Sequence, residues 1–235
     1  MTKKGNIIDK QGAIDVISSC GKELLIKKSS GSCCGQGINL IGPYTEKYKI
    51  STIISQYNGD FVVQEKLTQS SSTRLFNEAS LNTIRISTLL LNGKFSVCTA
   101  MIRFGAPNSI VDNVGAGGCC VGINHDGSLK EFGFTSRFDK ILEWNGVQFK
   151  GHQIPNFDKI IEFARDAHYC VPNCGFIGWD IALDNNDDCV LIESNICWPG
   201  IFFEQLADGK PAFCGREDEL LEFFINTSEP YCEPV

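Results

Sequence analysis

Two long segments rich in apolar residues, 81–91 and Lys94–Phe104, meet at Asn92-Gly93. An Asn-Gly pair accepts the positive φ angles of a tight two-residue turn, so this stretch predicts a hairpin of two long antiparallel strands. A hairpin of that length must bury at least one face, and the rest of the chain has to supply the cover. Further strands are read at 121–124 and 129–134 around Asp126-Gly127, and at 175–183 and Cys189–Asn195 around the turn 185–188. Phe157–Tyr169 reads as an amphipathic helix with Ile160, Ile161, Phe163, Ala164 and Ala167 inward, and a closing helix begins at Glu219.

The front of the chain has a different texture. A helix over 13–20 precedes a short apolar strand at 23–28, a Gly/Ser-rich loop over 29–37 and a returning strand at 38–41. A second helix includes 52–56 and stops at Asn58-Gly59, a strand follows at 61–67, and 71–77 is a polar stretch with one helical turn. The layout is α+β in two lobes: a small lobe over 8–62, a large, mainly antiparallel lobe over 63–225, and a tail over 226–235.

With 235 residues, 43% of them hydrophobic and 21% charged, the chain can bury a real core. No apolar run reaches the length of a spanning helix, which argues against membrane insertion, and the polar N-terminus lacks the apolar core of an export signal. The net charge of −7 argues against nucleic acid as the main partner. Twelve cysteines without an export signal read as mostly buried thiols of a cytoplasmic protein. Cys170 and Cys174 lie near His168, but the spacing matches no common zinc module.

Charge is unevenly spread. Residues 1–50 carry eight lysines against four acids, whereas residues 176–235 carry thirteen acids against Lys210 and Arg216. That polarity suits phosphate at one end of a site and a divalent cation at the other, although on charge alone plain solvated surface is the favoured reading. The basic front contains Lys27 at a strand end, followed by a loop with Ser29, Ser30, Gly31, Ser32, Gly35 and Gly37. Small residues let backbone N–H groups approach a phosphate, and a strand-end lysine adds a point charge. No GK[ST] closes this loop, so it is not a Walker loop, and an ordinary hairpin has the same composition.

The acidic end holds Asp180 in an otherwise apolar strand, with Glu193 and Asn195 on one face of the next. Three converging oxygens suit Mg²⁺ that keeps phosphate oxygens and water as its other ligands. Arg85 and Arg103 stand on either side of the Asn92-Gly93 turn and can share a face, as a clamp for phosphate or carboxylate or as plain ion pairs. Gln64, Glu65, Lys66 and Leu67 close the strand that joins the lobes, where free backbone groups can meet a flat base and a carboxylate can hold a ribose.

The order of these elements resembles the ATP-grasp superfamily, and more closely the sugar-transfer-associated ATP-grasp proteins, relatives of the alpha-L-glutamate ligases. The residues that carry the resemblance are Ile26-Lys27 with its loop, Val63-Gln64-Glu65, Ser80-Leu81-Asn82-Thr83-Ile84-Arg85, Val111-Asp112-Asn113 with Gly117-Gly118, Gly151-His152-Gln153-Ile154-Pro155, Ile177-Gly178-Trp179-Asp180-Ile181-Ala182, and Leu191-Ile192-Glu193-Ser194-Asn195 with Pro199-Gly200. It implies ATP held between two α+β lobes with Mg²⁺, or Mn²⁺ in its place. Lys27 and the loop from Ser29 to Gly37 would meet the phosphates, and Gln64 to Leu67 the adenine and ribose, with Asn82 added to the nucleotide site. Asp180, Glu193 and Asn195 would bind the metal, and Arg85 and Arg103 would act on the transferred phosphoryl group.

The chemistry so implied is ligation of a carboxylate acceptor through an acyl phosphate, linked to polysaccharide assembly and its enzymes. Family members usually begin with a further N-terminal subdomain, and this sequence starts at the lysine-bearing lobe. The alternative expectation is therefore a shortened, inactive nucleotide-binding or interaction protein.

Overall fold

The computed structural model describes residues 8–29, 37–171, 173–196, 199–213 and 215–226. Ser30, Gly31, Ser32 and Gly35, expected in the phosphate loop, lie outside the described residues. The chain divides into two units, Met1–Leu67 and Thr68–Val235.

In the first unit, α1 (Lys10–Ser19) and α2 (Lys47–Ser55) bury their apolar stripes against a three-stranded antiparallel sheet. The sheet runs β2 (Asn39–Ile41), β1 (Leu24–Lys28), β3 (Phe61–Glu65). Asp9 starts α1 by accepting from the Gly12 N–H at 2.7 Å, as a helix N-cap does. Leu24, Ile26 and Ile41 join Ala13, Ile14, Ile17, Ile50 and Ile54 in one core. The boundary read from the sequence, between residues 62 and 63, lies inside β3. That strand pairs along its whole length with β1, from Lys28↔Phe61 to Leu24↔Glu65, and so stays in the first unit.

The second unit is built on the expected hairpin, β4 (Ile84–Leu91) and β5 (Lys94–Phe104). It continues through β6 (Cys119–Ile123), β7 (Leu129–Thr135) and β8 (Lys140–Ile141), then a small ribbon of β9 (Glu143–Trp144) and β10 (Val147–Gln148). The helix α4 (Phe157–Tyr169) leads to a second hairpin, β11 (Phe176–Leu183) and β12 (Cys189–Asn195). All pairings in the seven-stranded sheet are antiparallel, in the order β12-β11-β4-β5-β6-β7-β8. A one-turn helix α3 (Ser71–Arg74) precedes the sheet, and α5 (Ile201–Asp208) and α6 (Glu217–Asn226) follow it. Among the described residues no helix is long and apolar enough to cross a membrane.

The two faces of this sheet differ, because strand side chains alternate. One face presents Ile84, Ile86, Ile102, Val121, Trp179 and Ile181 to the main core of the unit, in which α4 packs over β4, β11 and β12. On α4 the fully covered positions are Phe157, Ile160, Ala164 and His168, the spacing of one helical stripe. His168 is wholly buried; its Nε2–H donates to the Cys174 carbonyl at 2.7 Å, which leaves Nδ1 to accept from Thr88 Oγ1 at 2.7 Å. Neither ring nitrogen is open to a metal. The opposite face is polar and carries the site.

Two expectations shift here. β4 begins at Ile84 rather than at 81, because Asn82 is drawn into a buried network before the strand starts: its Nδ2 donates to Gln69 Oε1 at 3.1 Å, the Thr73 carbonyl at 3.0 Å and the Asn77 carbonyl at 2.7 Å. And α5, flanked by Gly200 and Gly209 in left-handed conformation, is a helix that the apolar patterning does not predict.

Candidate functional site

Asp180, in the middle of β11, pairs in register with Arg85 on one side and Glu193 on the other. The pairing with Glu193 depends on a β-bulge. From Leu183↔Cys189 to Ile181↔Leu191 the ladder would bring Ile192 opposite Asp180; the register shift skips it, and Glu193 takes the place. One extra residue thus turns a carboxylate onto Asp180's face in place of an apolar side chain.

Asp180 is 3% exposed, and two guanidinium groups compensate its charge. Arg85 grips it with two bonds, Nε to Oδ1 and Nη2 to Oδ2, the second at 3.0 Å. Arg103 Nη2 lies 2.9 Å from Oδ2. Burial opposes ionisation, but Arg103 and Arg85 outweigh it and hold this carboxyl below the ordinary aspartate value.

The two arginines are placed unlike each other. Arg85 is 6% exposed, and its Nη1 also donates to the Pro199 carbonyl at 2.6 Å and to Glu204 Oε1 at 3.4 Å. Gly178 makes room for it: a Cβ there would stand 3.4 Å from Arg85 Cδ and 3.3 Å from Pro199 Cβ. Arg103 is held from the other end of the strand pair. Its Nη2 donates to Thr83 Oγ1 at 2.6 Å, and Asp112 Oδ2 lies 3.5 Å away. Asp112 also accepts from the Thr83 hydroxyl and, at 3.0 Å, from the Thr83 N–H. Burial works against the charge of Arg103, but Asp112 and Asp180 raise its pKa overall. Among the described residues its Nη1 has no hydrogen-bond partner, so Arg103 keeps a donor for a ligand where Arg85's Nε, Nη1 and Nη2 are all engaged.

The remaining metal candidates are open. Glu193 is exposed and has no ion pair among the described residues. Asn195 donates from Nδ2 to the Gly178 carbonyl at 3.3 Å and to Asp180 Oδ2 at 3.4 Å; both neighbours are acceptors, which assigns the amide nitrogen and leaves Oδ1 free to accept. Two carboxylates and an amide oxygen on adjacent strands fit a hard cation that takes oxygen ligands. The surroundings agree in charge: Asp112, Asp180, Glu193 and Glu204 outnumber Arg85 and Arg103. Among the described residues no group of three or more His, Cys, Asp or Glu side chains gathers as a metal site, here or elsewhere; the candidate set has two carboxylates with the Asn195 amide as its third donor.

In the first unit, Lys27 and Gln64 stand on the sheet face that the helices leave bare, together with Leu25, Leu40 and Val62. Leu40 and Val62 are 39% and 37% exposed, so this is an apolar floor with a cation and an amide on it. Lys27 has no ion pair among the described residues. Glu65 and Lys66 are engaged in surface pairs instead, Glu65 with Lys22 at 2.7 Å and Lys66 with Glu23 at 3.2 Å. Leu67 ends the unit. Ser29 and Gly37 are pinned at the two ends of the loop, Ser29 by its N–H and hydroxyl to the Asp60 carbonyl and Gly37 by Tyr57 Oη at 2.6 Å.

Glu204 is a buried neighbour of this cluster that motif and spacing do not bring to it, whereas Thr83 and Asp112 lie in motifs that carry the resemblance, Asp112 with a place on the acceptor side or in a turn as equal expectations, and here they hold Arg103. An acid at position 204 in the apolar run 201–207, ended by Gly209, is the signal that marks both α5 and its buried carboxylate.

The sequence matches the model of the family described as sugar-transfer associated ATP-grasp over residues 3–217. That span is most of the chain, and the protein belongs to this family; its fold is the ATP-grasp α+β fold. Solved structures similar to it include D-alanyl-alanine synthetase A from Vibrio cholerae, with 12% identity and a TM-score of 0.48 over 91% of this chain and 54% of that one. N5-carboxyaminoimidazole synthetase from Staphylococcus aureus, complexed with ADP, matches with 12% identity and a TM-score of 0.45 over 89% of this chain and 45% of that one. The D-alanine-D-alanine ligase from Coxiella burnetii matches with 14% identity and a TM-score of 0.43 over 94% of this chain and 53% of that one. This chain spans about half the length of these structures. No curated protein matches it in sequence.

Proposed function

We propose that this protein binds ATP with Mg²⁺ and activates a carboxylate by phosphorylation, in the service of glycan assembly. The observation that carries the reading is Asp180, buried and gripped by Arg85 and Arg103, beside Glu193 and Asn195, whose oxygens are unengaged. The glycan link rests on the description of the family.

In this reading Lys27 and Gln64 receive the nucleotide on the bare face of the small sheet, with Leu25, Leu40 and Val62 against the base. Asp180, Glu193 and Asn195 would hold Mg²⁺ or Mn²⁺, which when bound would offset the negative charge of the phosphates. Arg103 presents Nη1 to the transferred phosphoryl group, and Thr83 with Asp112 keeps that guanidinium in place. Arg85 fixes Asp180. The acceptor carboxylate oxygen attacks the γ-phosphorus, the bond to the bridging oxygen breaks, and ADP leaves with the electron pair. An amine or thiol then attacks the acyl carbon and phosphate departs. Positioning and charge do the work, and no covalent enzyme nucleophile is needed.

The test is calorimetric titration with ATP with and without Mg²⁺, followed by ADP release in the presence of carboxylate acceptors and hydroxylamine, which traps an acyl phosphate as a hydroxamate. Mg²⁺-dependent binding with hydroxamate formation is the expected result. Binding without turnover for any acceptor restricts the function to nucleotide binding. No Mg²⁺-dependent ATP binding refutes the proposal.

A further inference from the structure

Glu204 is wholly buried, yet it belongs to neither the nucleotide face nor the metal candidates. It hangs from α5 onto the polar face of the large sheet. Its Oε2 accepts from the hydroxyls of Ser87 on β4 and Thr99 on β5, and its Oε1 lies 3.4 Å from Arg85 Nη1. A buried carboxylate is costly, and a well-packed apolar side chain would fasten a helix to a sheet without that cost. The rest of α5 already does so: Phe203 and Ala207 pack with Met101, Val114 and Cys120, and Lys130 holds the far end through Asp208. Helix attachment therefore leaves the carboxylate unexplained.

What it touches explains it. Arg85 reaches Asp180 with one edge of its guanidinium and turns Nη1 toward Glu204 and Pro199. Beneath it is Gly178, a strand position with no side chain to act as a wall. A two-bond grip on a carboxylate demands a fixed guanidinium plane. Glu204 supplies the only charged contact on the edge of Arg85 remote from Asp180 among the described residues.

We infer that Glu204 is a positioning residue that sets the guanidinium plane of Arg85 and, through Arg85, presents Asp180 to the cation. Its second half, presentation of Asp180 to the cation, and the calorimetric readout rest on the proposed Mg²⁺·ATP function; the setting of Arg85 does not. The Ser87 and Thr99 hydroxyls are the anchors of the device, Arg85 its moving part, and α5 its support.

The experiment uses the full ¹⁵N-labelled chain. The Arg85 Nε–H resonance is assigned by its loss in Arg85→Lys, and its exchange with solvent is compared in the unaltered protein and in Glu204→Gln, which keeps size and shape. Exchange about tenfold faster, with the backbone spectrum preserved away from α5, is expected. Ser87→Ala, which leaves the carboxylate but removes an anchor, moves exchange in the same direction by less. Unchanged exchange in both variants overturns the inference. In calorimetry, Glu204→Gln raises the Mg²⁺ concentration for half-maximal ATP binding about fivefold in the unaltered protein and raises it no further in the Arg85→Lys background. Additive effects overturn the inference, because Glu204 would then act without Arg85. If the unaltered protein binds no ATP, the proposed function falls while the exchange measurement still decides the role of Glu204.

Discussion

Replacing Asp180 by Asn removes one negative charge and almost no volume from the polar face of the large sheet. Two guanidinium groups then lose their shared partner in surroundings where Arg85 and Arg103 side chains are only 8% and 16% exposed. Breaking a buried pair from one side costs about 3–5 kcal/mol, because the survivor stays buried and unpaired. Here neither survivor is left wholly alone: Glu204 remains 3.4 Å from Arg85 and Asp112 remains 3.5 Å from Arg103. The low end of the range, about 3 kcal/mol, is the expected loss. For a unit of this size that is a fall in Tm of about 6–12 °C. Tryptophan fluorescence is a suitable probe, since Trp144 and Trp179 both belong to the second unit. Glu193→Gln is the control. Glu193 is exposed and without an ion pair among the described residues, so its stability should stay within about 0.5 kcal/mol while its Mg²⁺-dependent ATP binding is lost. A fall in Tm of less than about 2 °C for Asp180→Asn would refute the account of Asp180 as the charge that the two arginines share.

Lys27→Ala removes a cation from the bare face of the small sheet and should weaken ATP binding by about tenfold or more in calorimetry with the fold intact; retained affinity would move the phosphate contact elsewhere, Lys28 first. Gly105→Ala would drive a methyl group into the Val111 carbonyl oxygen, at the base of the segment that carries Asp112, and should cost about 1–3 kcal/mol in chemical denaturation. His168 is pushed below its ordinary value of 6.5 by burial, against the pull of the Cys174 carbonyl. The folded chain thus binds that proton more weakly than the unfolded one, so stability is full above about pH 6.5 and declines as pH falls below it. Denaturation at several pH values should show that slope, and His168→Gln should flatten it; a slope unchanged by the substitution would show that His168 does not contribute.

Much of this architecture can be read from the chain because it repeats short-range rules. The Asn92-Gly93 turn, the stripe of α4 and the hairpin 175–195 each declare themselves within a dozen or so neighbouring residues. The apolar neighbours of Asp180 in its own strand are enough to mark it as paired or functional. What stays hidden depends on tertiary geometry. The bulge that brings Glu193 opposite Asp180 arises from the ladder as a whole, and nothing in Leu191-Ile192-Glu193 announces the skipped residue. The inequality of Arg85 and Arg103 comes from partners more than ninety residues away along the chain for one and from Thr83 and Asp112 for the other. The helix α5 leaves only a short apolar run, 201–207 before Gly209, and the contacts of the Glu204 within it lie on β4 and β5, about a hundred residues earlier. Asn82, expected at the nucleotide, is consumed by Gln69, Thr73 and Asn77.

Cys119 and Cys120 are consecutive on β6, so the alternation of the strand sends them to opposite sides of the sheet. Cys119 lies in the core shared with α4, and Cys120 lies beside Ala207 and Phe203 of α5. Both are buried, and burial raises both thiols, Cys120 up to about 12. Neither sulfur reacts until the layer over it lifts. The pair is thus a two-channel chemical clock: the alkylation rate of Cys119 times the opening of the main core, and that of Cys120 times the opening of α5. Nucleotide binding that tightens one layer and not the other would be recorded as two separate half-lives in a single peptide.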